Sequence, residues 1–254
     1  AQCLQRRGNR ALCGRPSPGQ ELRPAMRILR LLHLFGPHGK IKVRFGQWGE
    51  DVIVHRNFDK QKHGFYVDIG AHHPFAHSNT ARLWLRGWTG VNVDANRKSV
   101  DVLRRVRKQD HTIWAAVVSD KIAAERDTIE FYAGDHTDLT GTVVQDMASE
   151  RGKLQSMKVP CRSIASIIAE SAELAPDGID FMNIDIEGMD EEAIASLADW
   201  QLKPRMIAIE TYADTIPAVM ETETFRIMTH NGYDFRYQVG LTSIYMRKDF
   251  HEGR

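Results

Sequence analysis

Cysteine is scarce in this chain, with three residues in 254. Cys3 and Cys13 fall in an unpatterned N-terminal stretch, leaving Cys161 alone in the patterned part. That excludes a disulfide framework and leads us to expect a reducing, cytoplasmic compartment. Long apolar runs are also missing. None reaches the roughly 18 residues of a membrane-spanning helix, so no transmembrane segment is expected. Net charge of one sign is absent too: the total is +1, which argues against a chain built to coat nucleic acid or an acidic membrane. Repeats and low-complexity tracts are lacking in the patterned part. What remains, 42% hydrophobic and 26% charged residues, suits one substantial globular domain.

The even total hides an asymmetry. Residues 1–44 hold ten Lys and Arg against Glu21 alone, or +9, and the remaining 24 basic and 32 acidic residues leave −8. Residues 1–25 are rich in Arg, Gly and Pro and lack the apolar middle of a secretory signal. Met26 opens the first patterned segment, so Met26 is expected as the natural start and residues 1–25 as a disordered leader. Met26–Phe35 reads as a short amphipathic helix that docks on the domain, within a helical segment over 26–63 packed on the core. Phe45–Asp51 is expected to lead into a second helix through Val52, Ile53 and Phe58.

From Phe65 onward, strands and helices alternate. Apolar runs predict strands at Phe65–Ile69, Gly90–Asp94, His111–Val118, Ile179–Asp185 and Met206–Glu210. Helices are expected at Asn79–Arg86, Ser99–Lys108, Asp190–Leu197 with Asp190 as N-cap, and Pro217–His230. This pattern predicts an α/β fold with a mainly parallel, doubly wound sheet. The last two runs, Tyr233–Val239 and Ser243–Arg247, are joined by three residues, too few for a helical crossover, and must pair antiparallel. An insertion over about 128–160 carries strand-like ends around a polar, turn-rich middle and is expected to cover the site.

The chemistry-bearing residues cluster at strand ends. Phe65-Tyr66-Val67-Asp68-Ile69-Gly70-Ala71-His72-His73 runs from a strand into a glycine turn, and Gly90-Val91-Asn92-Val93-Asp94 ends in an acid. Strand, glycine turn, helix, strand and acid is how such a domain holds an adenosine-bearing cofactor. Gly70 gives the cofactor close backbone approach, and Asp94 can accept both ribose hydroxyls. Asp185-Ile186-Glu187-Gly188 ends the fourth strand, so Asp185 and Glu187 emerge at the carboxyl edge, as does Glu210 on the fifth. Carboxylates there can serve as a base, orient a hydroxyl or hold a divalent ion. His72, His73 and His77 offer an imidazole or cap the turn; no zinc spacing is present. An acid at the second strand suits NAD as well, so a nicotinamide oxidoreductase and a non-catalytic nucleoside-binding module stay open beside a methyltransferase. The antiparallel end of the chain favours the methyltransferase.

The chain resembles the FkbM-type S-adenosylmethionine-dependent methyltransferases over about Phe45 to Arg247. The resemblance rests on Gly46-Gln47-Trp48-Gly49-Glu50-Asp51, on the Gly64–Pro74 stretch, on Ser78-Asn79-Thr80, on Gly87–Asn96 and on Asp180–Asp190. It implies a Rossmann-like methyltransferase domain over 64–254 that methylates an oxygen, often a hydroxyl of a sugar, glycan or secondary metabolite. Carried over, Asp68, Gly70, Ala71 and Asp94 would line S-adenosylmethionine. Asp185, Glu187 and His72 would face the transfer centre, with a divalent cation such as magnesium as an optional aid. The acceptor would be a small molecule or glycan. Nucleic acid is not expected, because the −8 of the folded part repels phosphates. Nothing in the sequence fixes the oligomeric state.

Overall fold

The computed structural model describes residues 43–133, 141–143 and 154–250. The leader over 1–25, the Met26–Phe35 helix and most of the polar middle of the insertion lie outside the described residues. The chain divides into units of residues 1–43 and 44–254, and every element below belongs to the second.

Helix α1 (Glu50–Asn57) precedes β1 (Phe65–Ile69), α2 (Ala81–Leu85), β2 (Thr89–Asp94), α3 (Arg97–Val106) and β3 (His111–Trp114). A short β4 (Ala116–Val117), α4 (Asp120–Glu125), β5 (Thr128–Ala133), β6 (Gln155–Arg162) and α5 (Ile164–Ala172) follow. The chain then runs through β7 (Phe181–Ile184), α6 (Asp190–Ala193) and β8 (Met206–Glu210). It ends in α7 (Ile216–Glu221), α8 (Glu223–His230), β9 (Tyr233–Val239) and β10 (Thr242–Arg247).

The main sheet has seven strands in the order β3-β2-β1-β7-β8-β10-β9. The first five run parallel. β10 enters antiparallel to β8, and β9 pairs antiparallel outside it. This is the Rossmann-like, mainly parallel sheet with an antiparallel C-terminal strand that the apolar runs predict. All five residues of β1 and all four of β7 are buried, as central strands covered on both faces must be. One face packs Val67, Ile69 and Ile184 against Ile164, Ile167 and Ile168 of α5. The other packs Tyr66, Phe181 and Ala208 against Val54 and Phe58 at α1 and Leu83 of α2. The strand order reverses between β1 and β7, which opens a crevice at their carboxyl ends.

Several boundaries differ from expectation. The single strand expected over His111–Val118 is two. β3 stays in the main sheet, while β4 turns away to pair with β6 in a smaller sheet, β4-β6-β5. That sheet has its own apolar contacts, Ala116, Phe131, Ala133 and Val159, which draw the chain off the main sheet after Ala115. The helix expected over Pro217–His230 breaks at Thr222. Its extended backbone closes α7, and its hydroxyl accepts from the Phe225 N–H to start α8. Asp190 is not an N-cap. It is the first residue of α6, and its carboxylate reaches back to the preceding loop. Helices α4 and α5 have no counterpart in the expected pattern.

Candidate active site

The carboxyl ends of the five parallel strands and the start of β10 floor a cavity of about 530 Å³. Five strand spacings of roughly 4.8 Å give the floor a length of about 24 Å. Sheet order fixes the sequence of its residues: Ala115, Asp94, Gly70, Asp185, Glu210 and Thr242. The insertion contributes Phe131, Gly141 and Thr142 to the wall, and the Thr142 hydroxyl donates to the Glu187 carbonyl at 3.0 Å.

Asp94 is half-buried at the tip of β2. One carboxylate oxygen accepts from the His72 N–H at 2.8 Å and the other from the Asn96 N–H at 2.7 Å. Each oxygen keeps a second lone pair for a ligand. Burial pushes this carboxyl up to about 6, although the two backbone hydrogen bonds pull it down. On its β3 side the wall is apolar: Ala115, Ala116, Val117 and Phe131.

Gly70 lines the cavity with φ of +79°, and an added Cβ would lie 1.8 Å from the Asp185 carbonyl oxygen. The neighbouring strand itself therefore demands glycine here, a stronger constraint than the cofactor approach inferred from sequence. Three non-glycine residues among those described adopt positive φ: His72, His77 and Glu187. All three line this cavity. Backbone strain of this kind is held in place only where surrounding structure over-determines it, and it gathers at functional sites.

Asp185 faces the cavity from the end of β7. Enclosure by the protein, then the charges of Glu210, Asp190, Glu187 and Asp68, raises its carboxyl well above the usual range. Asp190 accepts from the Ile186 and Gly188 N–H groups at 3.1 and 3.2 Å and so pins the loop that carries Glu187. Burial pushes Asp190 up to about 6 as well. The His72 imidazole is held below its usual value by burial and by His73 and His77, which keeps it neutral near pH 7. His73 serves the backbone instead, where its Nδ1 accepts from the Phe75 and Ala76 N–H groups and shapes the turn. Among the described residues no group of three His, Cys, Asp or Glu forms a metal site.

Two predicted residues lie outside the cavity lining. Ala71 is buried, with its N–H on the Val93 carbonyl. Asp68 is buried behind the floor, where it accepts from the Thr80 hydroxyl and the Asn183 amide. Asp68 belongs to a polar network that sequence reasoning missed, built around fully buried Arg107. The Arg107 guanidinium donates to Thr80, Asn92, Ser78 and the Tyr66 hydroxyl, and to the Pro74 carbonyl at 2.6 Å. Arg107 thereby ties the 71–80 loop, with its three histidines, to β1 and β2. No sequence signal separates it from Arg104 and Arg105, which precede it in the last turn of α3.

Gly46–Asp51 also acquires a physical reason. The Asp51 carboxylate accepts from the Gly46 N–H and from Arg82, and Glu50 accepts from the Trp48 N–H at 2.9 Å. These acids lock the turn that carries Trp48 to the cavity rim.

A family model described as the methyltransferase FkbM domain matches residues 68–235, from the end of β1 into β9. No curated protein matches the sequence. Among solved structures, the chain is similar to a TehB-like SAM-dependent methyltransferase from Corynebacterium glutamicum, with 10% identity and a TM-score of 0.39. That likeness covers 89% of this chain and 100% of the other. It is also similar to Aeropyrum pernix fibrillarin in complex with natively bound S-adenosyl-L-methionine. There the identity is 14% and the TM-score 0.40, over 72% of this chain and 66% of the other. The family match takes in most of the strand ends that floor the cavity and well over half of the sequence: the chain belongs to the FkbM methyltransferase family.

Proposed function

We propose that this S-adenosylmethionine-dependent methyltransferase transfers the methyl group to a hydroxyl oxygen of a small molecule or glycan. The observation that supports this most is the placement of Asp94, Asp185 and Glu187 along one cavity, with Gly70 between the first two.

The residues present fit the cofactor. The apolar wall of Ala115, Ala116, Val117 and Phe131 suits a purine, and Asp94 beside it has the free lone pairs to accept ribose hydroxyls. Gly70 is the strand end nearest the ribose site on this reading. Asp68 and Ala71 act from behind, holding the strand and the His72 turn in place. When bound, S-adenosylmethionine supplies a methyl group already activated by the sulfonium charge.

The chain's own residues must then align the acceptor oxygen, exclude water and take a proton. Asp185 and Glu187 stand at the carboxyl edge to do so, and the raised affinity of Asp185 for a proton brings its basicity closer to that of a hydroxyl. Neutral His72 is the alternative proton acceptor. Alignment supplies much of the acceleration on this account. This route needs no divalent ion. Among the described residues no helix is long and apolar enough to cross a membrane. The carboxylate-lined floor disfavours phosphate-bearing acceptors, nucleic acid included, and a cytoplasmic location remains part of this proposal.

The test is labelled methyl transfer from the donor to a panel of hydroxylated acceptors. Comparing wild type with Asp185→Asn separates chemistry from binding. Turnover lost with cofactor affinity retained supports the assignment; unchanged turnover removes Asp185 from the mechanism.

A further inference from the structure

The cavity is asymmetric along its length. Its β3 end is apolar. Its β8–β10 end carries Glu210 on the floor, Asp214 in the loop after β8 and Trp48 on the rim. Trp48 is 59% exposed, an unusual state for the largest apolar side chain. It is nonetheless fixed. The Glu50 carboxylate holds its backbone N–H, and its ring lies against Gly240, where an added Cβ would come within 2.5 Å of the indole. Gly240 opens the turn into Thr242, which pairs across the ladder with Glu210. Trp48 and Glu210 therefore border the same end of the cavity. Among the described lining residues there are six carboxylates and neither Lys nor Arg.

An exposed, rigidly mounted indole beside carboxylates is what a cation-bearing ring needs. The π-face takes the positive or C–H face, and the acids take ammonium or hydroxyl groups. Among the described lining residues an anionic acceptor would meet carboxylates and no Lys or Arg. We propose that Trp48 is the stacking wall of the acceptor subsite, and that it selects with Glu210 and Asp214 for a hydroxylated ring bearing an amine and against acidic rings. This inference rests on the functional reading above and names the acceptor class for the same cavity.

The test uses three matched probes: glucosamine, glucose and glucuronate. Each is added to the full-length protein saturated with S-adenosylhomocysteine, and binding is read by saturation-transfer NMR. Glucosamine is expected to give the strongest transfer, glucose less and glucuronate none. Trp48→Ala should weaken glucosamine binding about tenfold, and Trp48→Phe should restore most of it. Calorimetry should find S-adenosylhomocysteine affinity equal in all three proteins. Equal responses to the three probes, including no response to any, would overturn the inference, as would glucosamine binding unaffected by Trp48→Ala. Failure of S-adenosylhomocysteine to bind wild type would instead overturn the functional reading.

Discussion

Two groups of carboxylates are set among the same parallel strands, and they are treated in opposite ways. Asp68 behind the floor and half-buried Asp110 at the amino ends of β2 and β3 belong to one network around the buried cation Arg107, and hydroxyls and amides hold their oxygens. On the cavity side, the charges acting most strongly on Asp185 are all carboxylates. Desolvation raises the proton affinity of members of both groups, but Arg107 opposes the rise only in the first. Charge is compensated where geometry must be held. Around Asp185 the charges that act most strongly are those of other carboxylates. On the proposed function, the first group positions and the second carries the chemistry.

The largest effect expected from this contrast comes from removing its cation. Arg107→Leu leaves buried Asp68 and half-buried Asp110 without their nearby cation, deprives the side chains that bridge them to it of their donor and frees the 71–80 loop, and should cost about 3–5 kcal/mol in urea denaturation. A loss below about 1 kcal/mol, within reach of an ordinary point mutation, would mean that the network does not hold the loop. On the cavity side the result should invert. Asp185→Asn removes one of several like charges, so melting temperature should hold or rise. Single-turnover methyl transfer should fall roughly a hundred- to ten-thousand-fold. A destabilised Asp185→Asn protein would erase the distinction between the two groups.

A smaller effect is expected for Asp94→Asn. It keeps the shape and loses charge-assisted hydrogen bonds to the ribose, lowering S-adenosylhomocysteine affinity about ten- to hundredfold. The smallest effect is a pH dependence. Asp94 and Asp190 rise from 3.8 to about 6 on folding, so between those values the native state binds more protons than the unfolded one. Stability should therefore decline as pH rises through that window. In the double variant Asp94→Asn/Asp190→Asn the melting temperature should lose part of this slope, the remainder coming from Asp68, Asp110 and Asp185. Cofactor affinity should move the other way in wild type, strengthening as Asp94 ionises.

Much of the fold was legible in the sequence because central strands buried on both faces are written as continuous apolar runs. The carboxyl-edge acids were legible for the same reason: Asp94, Asp185 and Glu210 each end such a run. The break between β3 and β4 was not, because apolar residues continue through Ala115 and only pairing with a distant insertion strand redirects the chain. The break at Thr222 has neither glycine nor proline to mark it. Asp68 reads from sequence as an acid just before the glycine turn that would line the cofactor, and only the strand register, which sets it opposite Asn183, shows that it points into the interior. Arg107 is a buried cation at an arginine-rich helix end, and no local pattern reports burial supplied by partners 15 to 41 residues away.

The most direct test of the central claim is calorimetric titration of the full-length protein with S-adenosylhomocysteine, with NADH as control, with and without magnesium. The account predicts micromolar binding of the adenosyl compound, no heat with NADH, and loss of most of that affinity in Asp94→Asn. Absence of adenosyl binding, or binding indifferent to Asp94, would contradict it.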